Sequence, residues 1–427
     1  MKPTFQRVFQ VTVTTFLACI LWTVTLRADS PEWSRFHGVD GNGVTMGKIP
    51  TGWTDKDYRW RRRFDSYDVG SPIVHRGRIY HLVSKPNQKI ALESLDLATG
   101  QMRWSKEYGQ RDYRMHKRNT LASSTPAADD ENVFVCWADP TATVLKCFDH
   151  DGNEVWSRDF GTWKSQHGFG TSPRIFGSMV LLFNSQQADQ LRAGDRPGQS
   201  RMIAVDRKSG DTLWETSLTT TRACYGIPAI YESGSTTQII GANTGDGLFA
   251  LDPKSGKMLW NKKVFEARSC STPLIIDDVA IGSAGSGGGG NHLVAVRIPS
   301  RAGEKPEQLY RIDRGAPYVP TPVLKDGRLY MIDDRGIASC VDAKTGRSVW
   351  GPVRIGGNFG ASPILIGDTL LMISLDGKAT LLRAGDRYEK LAEVDLGGPV
   401  GATPAFAEGH LLLRVGDELR CIGPNVL

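Results

Sequence analysis

Short runs in which every second residue is apolar recur from about residue 58 to residue 422, as in Gly327-Arg328-Leu329-Tyr330-Met331-Ile332. Others, such as Val180-Leu181-Leu182-Phe183, are apolar at consecutive positions, which predicts strands covered on both faces. No segment longer than a turn carries a helical period. The pattern predicts an all-β chain of short strands, none able to bury its apolar residues alone.

The strands come in a repeated order. The phrase from Ala250 to Trp260 reads as an apolar strand, an Asp-led turn with Gly at its tight position, and a second strand ending in Trp. It recurs from Leu95 to Trp104, from Val205 to Trp214 and from Val341 to Trp350, and in trimmed form from Phe148 to Trp156. A second phrase, a Ser/Thr-Pro or Ile-Pro pair opening an apolar strand, occurs eight times: at Ser71, Thr125, Ser172 and Ile227, then at Thr272, Thr321, Ser362 and Thr403. A period of roughly 40 to 55 residues is that of propeller blades.

Blades are then expected over Val69–Trp104, Ser123–Trp156, Gly168–Trp214, Tyr225–Trp260, Ser269–Ile312, Tyr318–Trp350 and Phe359–Leu396. The eighth joins Val400–Ile422 to the strand around Trp60, so that an N-terminal strand closes the ring and leaves no open edge. Eight four-stranded antiparallel blades is the reading, with seven as the alternative. Trp60, Trp104, Trp156, Trp214, Trp260 and Trp350 are assigned to the joints between blades, where a large plate with one N–H fits. The fifth blade ends Leu309-Tyr310-Arg311-Ile312 and the seventh Leu391 to Leu396, so those joints are expected to be sealed differently.

Residues 1–28 carry a basic start (Lys2, Arg7), a mostly apolar run from Val11 to Leu26 and a small-residue exit at Ala28, the pattern of a secretory signal peptide. Cys19 is a poor lipobox cysteine, so a lipid anchor is not expected. Residues 29–57, Gly-rich and polar in part, form an extended N-terminal segment, and 58–427 form the propeller. The formal charge of +6 falls to +3 when Lys2, Arg7 and Arg27 leave with the signal, too little to argue for nucleic acid. The six cysteines after Cys19 fall in no CxxC or CxxCH. Cys136 and Cys147 flank a turn and are open to either a disulfide or two buried thiols.

The strand–Asp-x-x-[Thr/Ser]-Gly-x-x-x-Trp phrase with its [Ser/Thr]-Pro partner resembles the pyrroloquinoline-quinone-type propeller repeat, over about residues 58 to 422. The opening from Trp33 to Gly43 is similar to the start of small exported members. The resemblance implies the fold, and two kinds of function. Quinoprotein alcohol dehydrogenases carry a vicinal Cys-Cys pair and a Ca²⁺ site, and no two cysteines here are adjacent. Exported non-catalytic members include the propeller lipoprotein of the outer-membrane β-barrel assembly machine. The expectation is therefore an exported, monomeric scaffold of the periplasm or cell envelope. It binds a protein or peptide partner, without catalytic residues, metal or cofactor, and is compatible with peripheral membrane association. The alternatives are an oxidoreductase using pyrroloquinoline quinone with calcium, and a binder of small anions or glycans.

A ring places the residues just before each inner strand at one mouth of the central channel. Here these are His116, Lys117 and Arg118 before the second blade, His167 before the third, and Arg222 and Tyr225 before the fourth. Arg268 precedes the fifth, Tyr318 opens the sixth and Asn358 precedes the seventh. If they converge, they suit an anion or an acidic segment, since Arg grips carboxylate through two N–H groups. The stretch 185–200 is an insertion in the third blade, and Gly285 to Gly290 reads as a flexible hairpin tip.

Overall fold

The computed structural model describes residues 32–424, apart from Arg192 and Ala302. The signal-peptide reading of residues 1–28, with Cys19, lies outside them. Eight sheets built on four antiparallel strands make up the described residues, one of them extended by a short fifth, parallel strand, and the only helical element among these residues is the single turn Asp55–Asp57. The blades fall where the sequence places them, so the ring has eight members and not seven.

Blade 3 shows how period two serves a ring. Val180 and Leu182 pack with Phe134 and Leu145 of blade 2, whereas Leu181 and Phe183 pack with Ile239 and Phe249 of blade 4. The core is accordingly divided into slabs between neighbouring blades, and each sheet is covered on both faces. The last slab joins Leu381 of blade 7, Leu413 of blade 8 and Val83 of blade 1. Blade 8 takes its outer strand, Tyr58–Arg63, from the beginning of the chain: Trp60 pairs with Cys421 and Arg63 with Glu418.

The two sequence phrases hold the blades to each other. The Trp of one blade donates its indole N–H to the Asp-led turn of the next: Trp60 to Leu97 O (2.9 Å), Trp104 to His150 O (2.9 Å), Trp156 to Arg207 O (3.0 Å) and Trp214 to Pro253 O (2.9 Å). The turn glycine lies under that ring. A Cβ on Gly210, whose φ is +73°, would stand 2.6 Å from the Trp156 ring. Gly thus answers two demands, the left-handed turn and the close approach.

One expected exception disappears. Tyr310 in blade 5 donates to Ala343 O at 2.7 Å and covers Gly346, so a tyrosine seals this joint in the manner of the Trp residues. Blade 7 does differ, packing Leu391, Ala392 and Val394 against the shared slab. Its neighbour, blade 8, has no turn between third and outer strands because those strands come from opposite chain ends. Trp260 donates to Gln238 of its own blade (2.7 Å), since blade 5 has no Asp-led turn to receive it.

The [Ser/Thr]-Pro phrases line the channel. The backbone N–H of the residue before Pro donates to the hydroxyl at the same position of the next blade: Ser71 to Thr125 (3.2 Å), Thr125 to Ser172 (2.9 Å), Ile227 to Thr272 (3.3 Å) and Thr272 to Thr321 (3.0 Å). The belt continues from Thr321 to Ser362 and from Ser362 to Thr403, both at 2.9 Å, and closes from Thr403 to Ser71 at 3.1 Å. Ile227 has no hydroxyl, and the belt is open at Ser172. Pro suits the following position because the inner edge of each blade has no strand to receive an N–H.

Cys136 and Cys147 are both free and buried. The register sets Cys136 opposite Leu145 and Cys147 opposite Phe134, so the two cysteines are not partners, and the disulfide alternative falls.

Candidate functional site: a cationic cavity at one mouth of the ring

The extended N-terminal segment occupies the far end of the channel. Trp33 bridges to Val74 in blade 1, Ser34 O accepts from Ala128 N in blade 2, and Asn42 O accepts from Leu324 N in blade 6. Val44–Thr45 then adds a parallel strand to the inner edge of blade 7, and Gly47 lies against Phe406 of blade 8. Trp33, Arg35 and His37 are buried, while the alternate residue Phe36 faces the channel and forms part of the cavity wall. His37 Nε2 donates to Pro363 O at 2.9 Å. Burial first, and Arg35 next to it, lower the His37 pKa to about 4, against the effect of its carbonyl contacts.

Above this floor the ring encloses a cavity of about 860 Å³. Eight of the nine residues that sequence places at the mouth line it. His116, Lys117 and Arg118 are exposed on the loop entering blade 2, and His167 is half-buried on the loop entering blade 3. Those loops are sewn together: His116 N donates to His167 O (3.2 Å), and the Asn119 amide donates to His167 O (2.8 Å) and Phe169 O (3.1 Å). The ninth, Asn358, is excluded. Two positive-φ glycines, Gly356 and Gly357, turn the chain there, its carbonyl accepts from Leu375 N at 2.7 Å, and its side chain is exposed outside the cavity.

On the opposite wall, Arg222 is 3.8 Å from Asp189, which sits on the insertion of blade 3. That insertion is pinned at the rim, where Ala188 N and Asp189 N donate to Thr221 O. Arg268 is 5% exposed, with Nε on Ala223 O (2.7 Å) and Nη1 on the Tyr318 hydroxyl (3.3 Å), and among the described residues no carboxylate lies within ion-pair distance. Tyr225 shares a hydrogen bond with Ser165 (3.1 Å). The Gly-rich tip lies at the cavity: Gly285 N donates to Arg268 O (2.9 Å), Ser286 bonds Gly289 O (2.9 Å), and Ser286 and Gly287 line the wall.

Among the described residues no Asp or Glu lines the cavity. Two carboxylates lie beside lining residues: Asp189 is 3.8 Å from Arg222, and Asp334 Oδ2 accepts from Tyr318 N (2.8 Å) and Val319 N (3.3 Å), with burial raising the Asp334 pKa. Burial, and after it the surrounding positive charge, shows in the histidines. Burial, then Arg268, His116 and Arg222, hold His167 down to about 4; burial, Arg118, Lys117 and Arg268 lower His116. The site is donor-rich and cationic, and its histidines are neutral at physiological pH.

The sequence reading missed three contributors. Phe36 has no periodic signal in its Gly-rich context. Cys270 lines the wall with its thiol pushed up to about 12 by burial. The Ser/Thr belt was visible as a motif, and its hydroxyl at seven of eight positions was the available signal.

A donor-rich cavity in a ring of eight blades, most of them sealed by a Trp or Tyr plate, defines the class: a propeller of the pyrroloquinoline-quinone-type repeat. The chain belongs to the family described as outer membrane protein assembly factor BamB, whose family model matches residues 92–352. No curated protein matches the chain significantly in sequence. Among solved structures it is similar to BamB from Moraxella catarrhalis (TM-score 0.58, 14% identity, 85% of this chain and 98% of that one). It is also similar to quinohemoprotein alcohol dehydrogenase from Comamonas testosteroni (TM-score 0.64, 14% identity, 92% and 80%) and to a europium-containing methanol dehydrogenase (TM-score 0.63, 13% identity, 90% and 89%). At these identities the likenesses show the fold alone.

The dehydrogenase resemblance implies a quinone held with Ca²⁺. A hard cation takes six to eight oxygen ligands. Among the described residues no group of three or more His, Cys, Asp or Glu side chains is placed to hold a metal ion, and the cavity wall carries no carboxylate. Among the described residues the cavity wall therefore offers such a cation no carboxylate ligand.

Proposed function

We propose that this protein is an exported, non-catalytic scaffold of the cell envelope whose cavity mouth receives a protein or peptide partner. The observation that carries the reading is the buried Arg268 guanidinium, without a counter-ion, among Lys117, Arg118 and Arg222 on a wall free of carboxylates. A buried charge is normally paired, so a site built this way wants its anion supplied from outside. Membership in a family described as an outer membrane assembly factor and the signal-peptide pattern of residues 1–28 support placement in the envelope.

The test is site-specific photo-crosslinking in cells, with the reactive residue at Lys117 on the mouth or at Val39 on the closed end. A discrete adduct from Lys117 and none from Val39 is expected. No adduct from either position, or the same adducts from both, would overturn the reading. So would a bound chromophore and dye reduction by an alcohol after the purified chain is mixed with pyrroloquinoline quinone and Ca²⁺.

A further inference from the structure

The cavity has one entrance. Residues 33–47 fill its far end and bond to inner strands of blades 1, 2, 6 and 7, so a polypeptide cannot thread through the ring. Whatever macromolecule enters must do so by an end or a tight loop.

The wall narrows the chemistry further. It offers guanidinium, ammonium and amide donors, and below them the belt hydroxyls, each of which accepts from a neighbouring backbone N–H and retains its own proton to give. Carboxylates are missing from the lining residues, so an occupant rich in donors would find few partners. About 860 Å³ is at the upper end of ordinary ligand sites, roomy for a small anion and suited to the end of a chain. Tyr225 and Tyr318 supply flat apolar surface beside Arg268, and their phenols are held protonated by burial.

We infer that the cavity is a receptor for the free, acidic C-terminal end of a partner polypeptide. The terminal carboxylate sits against Arg268, and acidic side chains behind it face Arg222 and Lys117 at the rim. The inference rests on the peptide-partner reading above and deepens it. A C-terminus is the one end that brings a carboxylate wherever the sequence ends, and its capture by converging donors is a known mode of peptide recognition.

The experiment uses the mature full chain and a fluorescein-labelled Ser/Glu peptide with a free C-terminal carboxylate, its C-terminal amide, and citrate as competitor, followed by fluorescence anisotropy. The free acid should bind, and the amide should bind about tenfold more weakly or worse, the effect of one charge-assisted bond. Arg268→Gln should weaken the free acid by about as much and narrow its advantage over the amide. Because Arg268 is buried, the rim variant Arg222→Ala/Lys117→Ala serves as a second test; it should weaken both peptides without moving the thermal midpoint. Equal binding of acid and amide would overturn the chain-end inference while leaving the peptide reading standing. Binding of citrate, read directly by calorimetry, with neither peptide bound would overturn both in favour of a small anion, and binding of none of the three would remove the site.

Discussion

The backbone N–H of Thr403, in the last blade, donates to the hydroxyl of Ser71, in the first, at 3.1 Å. Residues 332 positions apart thereby complete a belt whose other links join blades adjacent in the chain. This contact and the Trp60–Cys421 pairing close the ring at its inner and outer edges. Ser71→Ala leaves the buried Thr403 N–H without a partner and should cost about 1–2 kcal/mol in denaturant unfolding. The same substitution at half-buried Ser66 is no equivalent control, because its hydroxyl bonds Asp68 (2.6 Å). A loss no larger than that of an exposed Ser→Ala change would show that the belt follows from the ring and does not hold it.

Gly210 and Trp156 belong to different blades but form one feature. Gly210→Ala meets both a strained φ of +73° and the Trp156 ring, and should cost about 2–4 kcal/mol. Trp156→Ala removes a large buried plate at a cost of about 3–5 kcal/mol. With the ring gone the alanine at 210 meets less, so the double variant should be more stable than the sum predicts by about 1 kcal/mol or more. Additive losses would mean that the turn alone requires glycine.

Arg414 links blade 8 to a buried carboxylate on the loop that enters blade 1: Nη2 pairs with Asp68 Oδ2 at 3.0 Å, and Nη1 donates to Gly70 O (3.2 Å) and Leu82 O (3.0 Å). Arg414→Ala takes the counter-ion from Asp68, which is 0% exposed and keeps only the hydrogen bonds from Ser66 and Ser84. The expected loss is about 3–5 kcal/mol, read by chemical denaturation. The double change Arg414→Leu/Asp68→Asn should recover part of it, since no uncompensated charge remains.

His37 makes the floor of the cavity sensitive to acid. Its folded pKa of about 4 lies below the ordinary 6.5, so the neutral form is favoured in the folded state. Its contribution is present above pH 6.5 and is lost as the pH falls toward 4, by roughly 3 kcal/mol at most. The groups facing it are the Arg35 guanidinium and the carbonyls of Gly41 and Pro363. Hydrogen exchange across residues 33–47 should quicken relative to the blades as the pH drops through this window. His37→Gln should abolish that local change, and exchange that remains equally acid-sensitive would assign it to another group.

How far the chain could be read depended on what each feature repeats. Eight [Ser/Thr]-Pro phrases marked eight inner strands, because a ring repeats the same edge problem at every blade. The mouth was legible for the same reason: loops that enter equivalent strands open at one end. Tyr310 was misjudged because it does by a phenol what the reading sought from an indole, and only its distance to Ala343 reveals the equivalence. Asn358 was misplaced because two glycines redirect its loop. The segment from Trp33 to Gly47 carries no repeat; its residues answer in turn blades 1, 2, 6, 7 and 8, so nothing local announces its place. That the mouth lacks carboxylates is likewise a property of convergence in space.

The segment that floors the cavity also orders events in time. It is made early, yet its partners in blades 7 and 8 are among the last residues synthesised. A chain delivered only in part has nowhere to park its own beginning, which stays loose and open to proteases and chaperones until the tail arrives. Truncation anywhere before about residue 400 would therefore leave a trace at the opposite terminus, and the floor's arrival reports that delivery is complete.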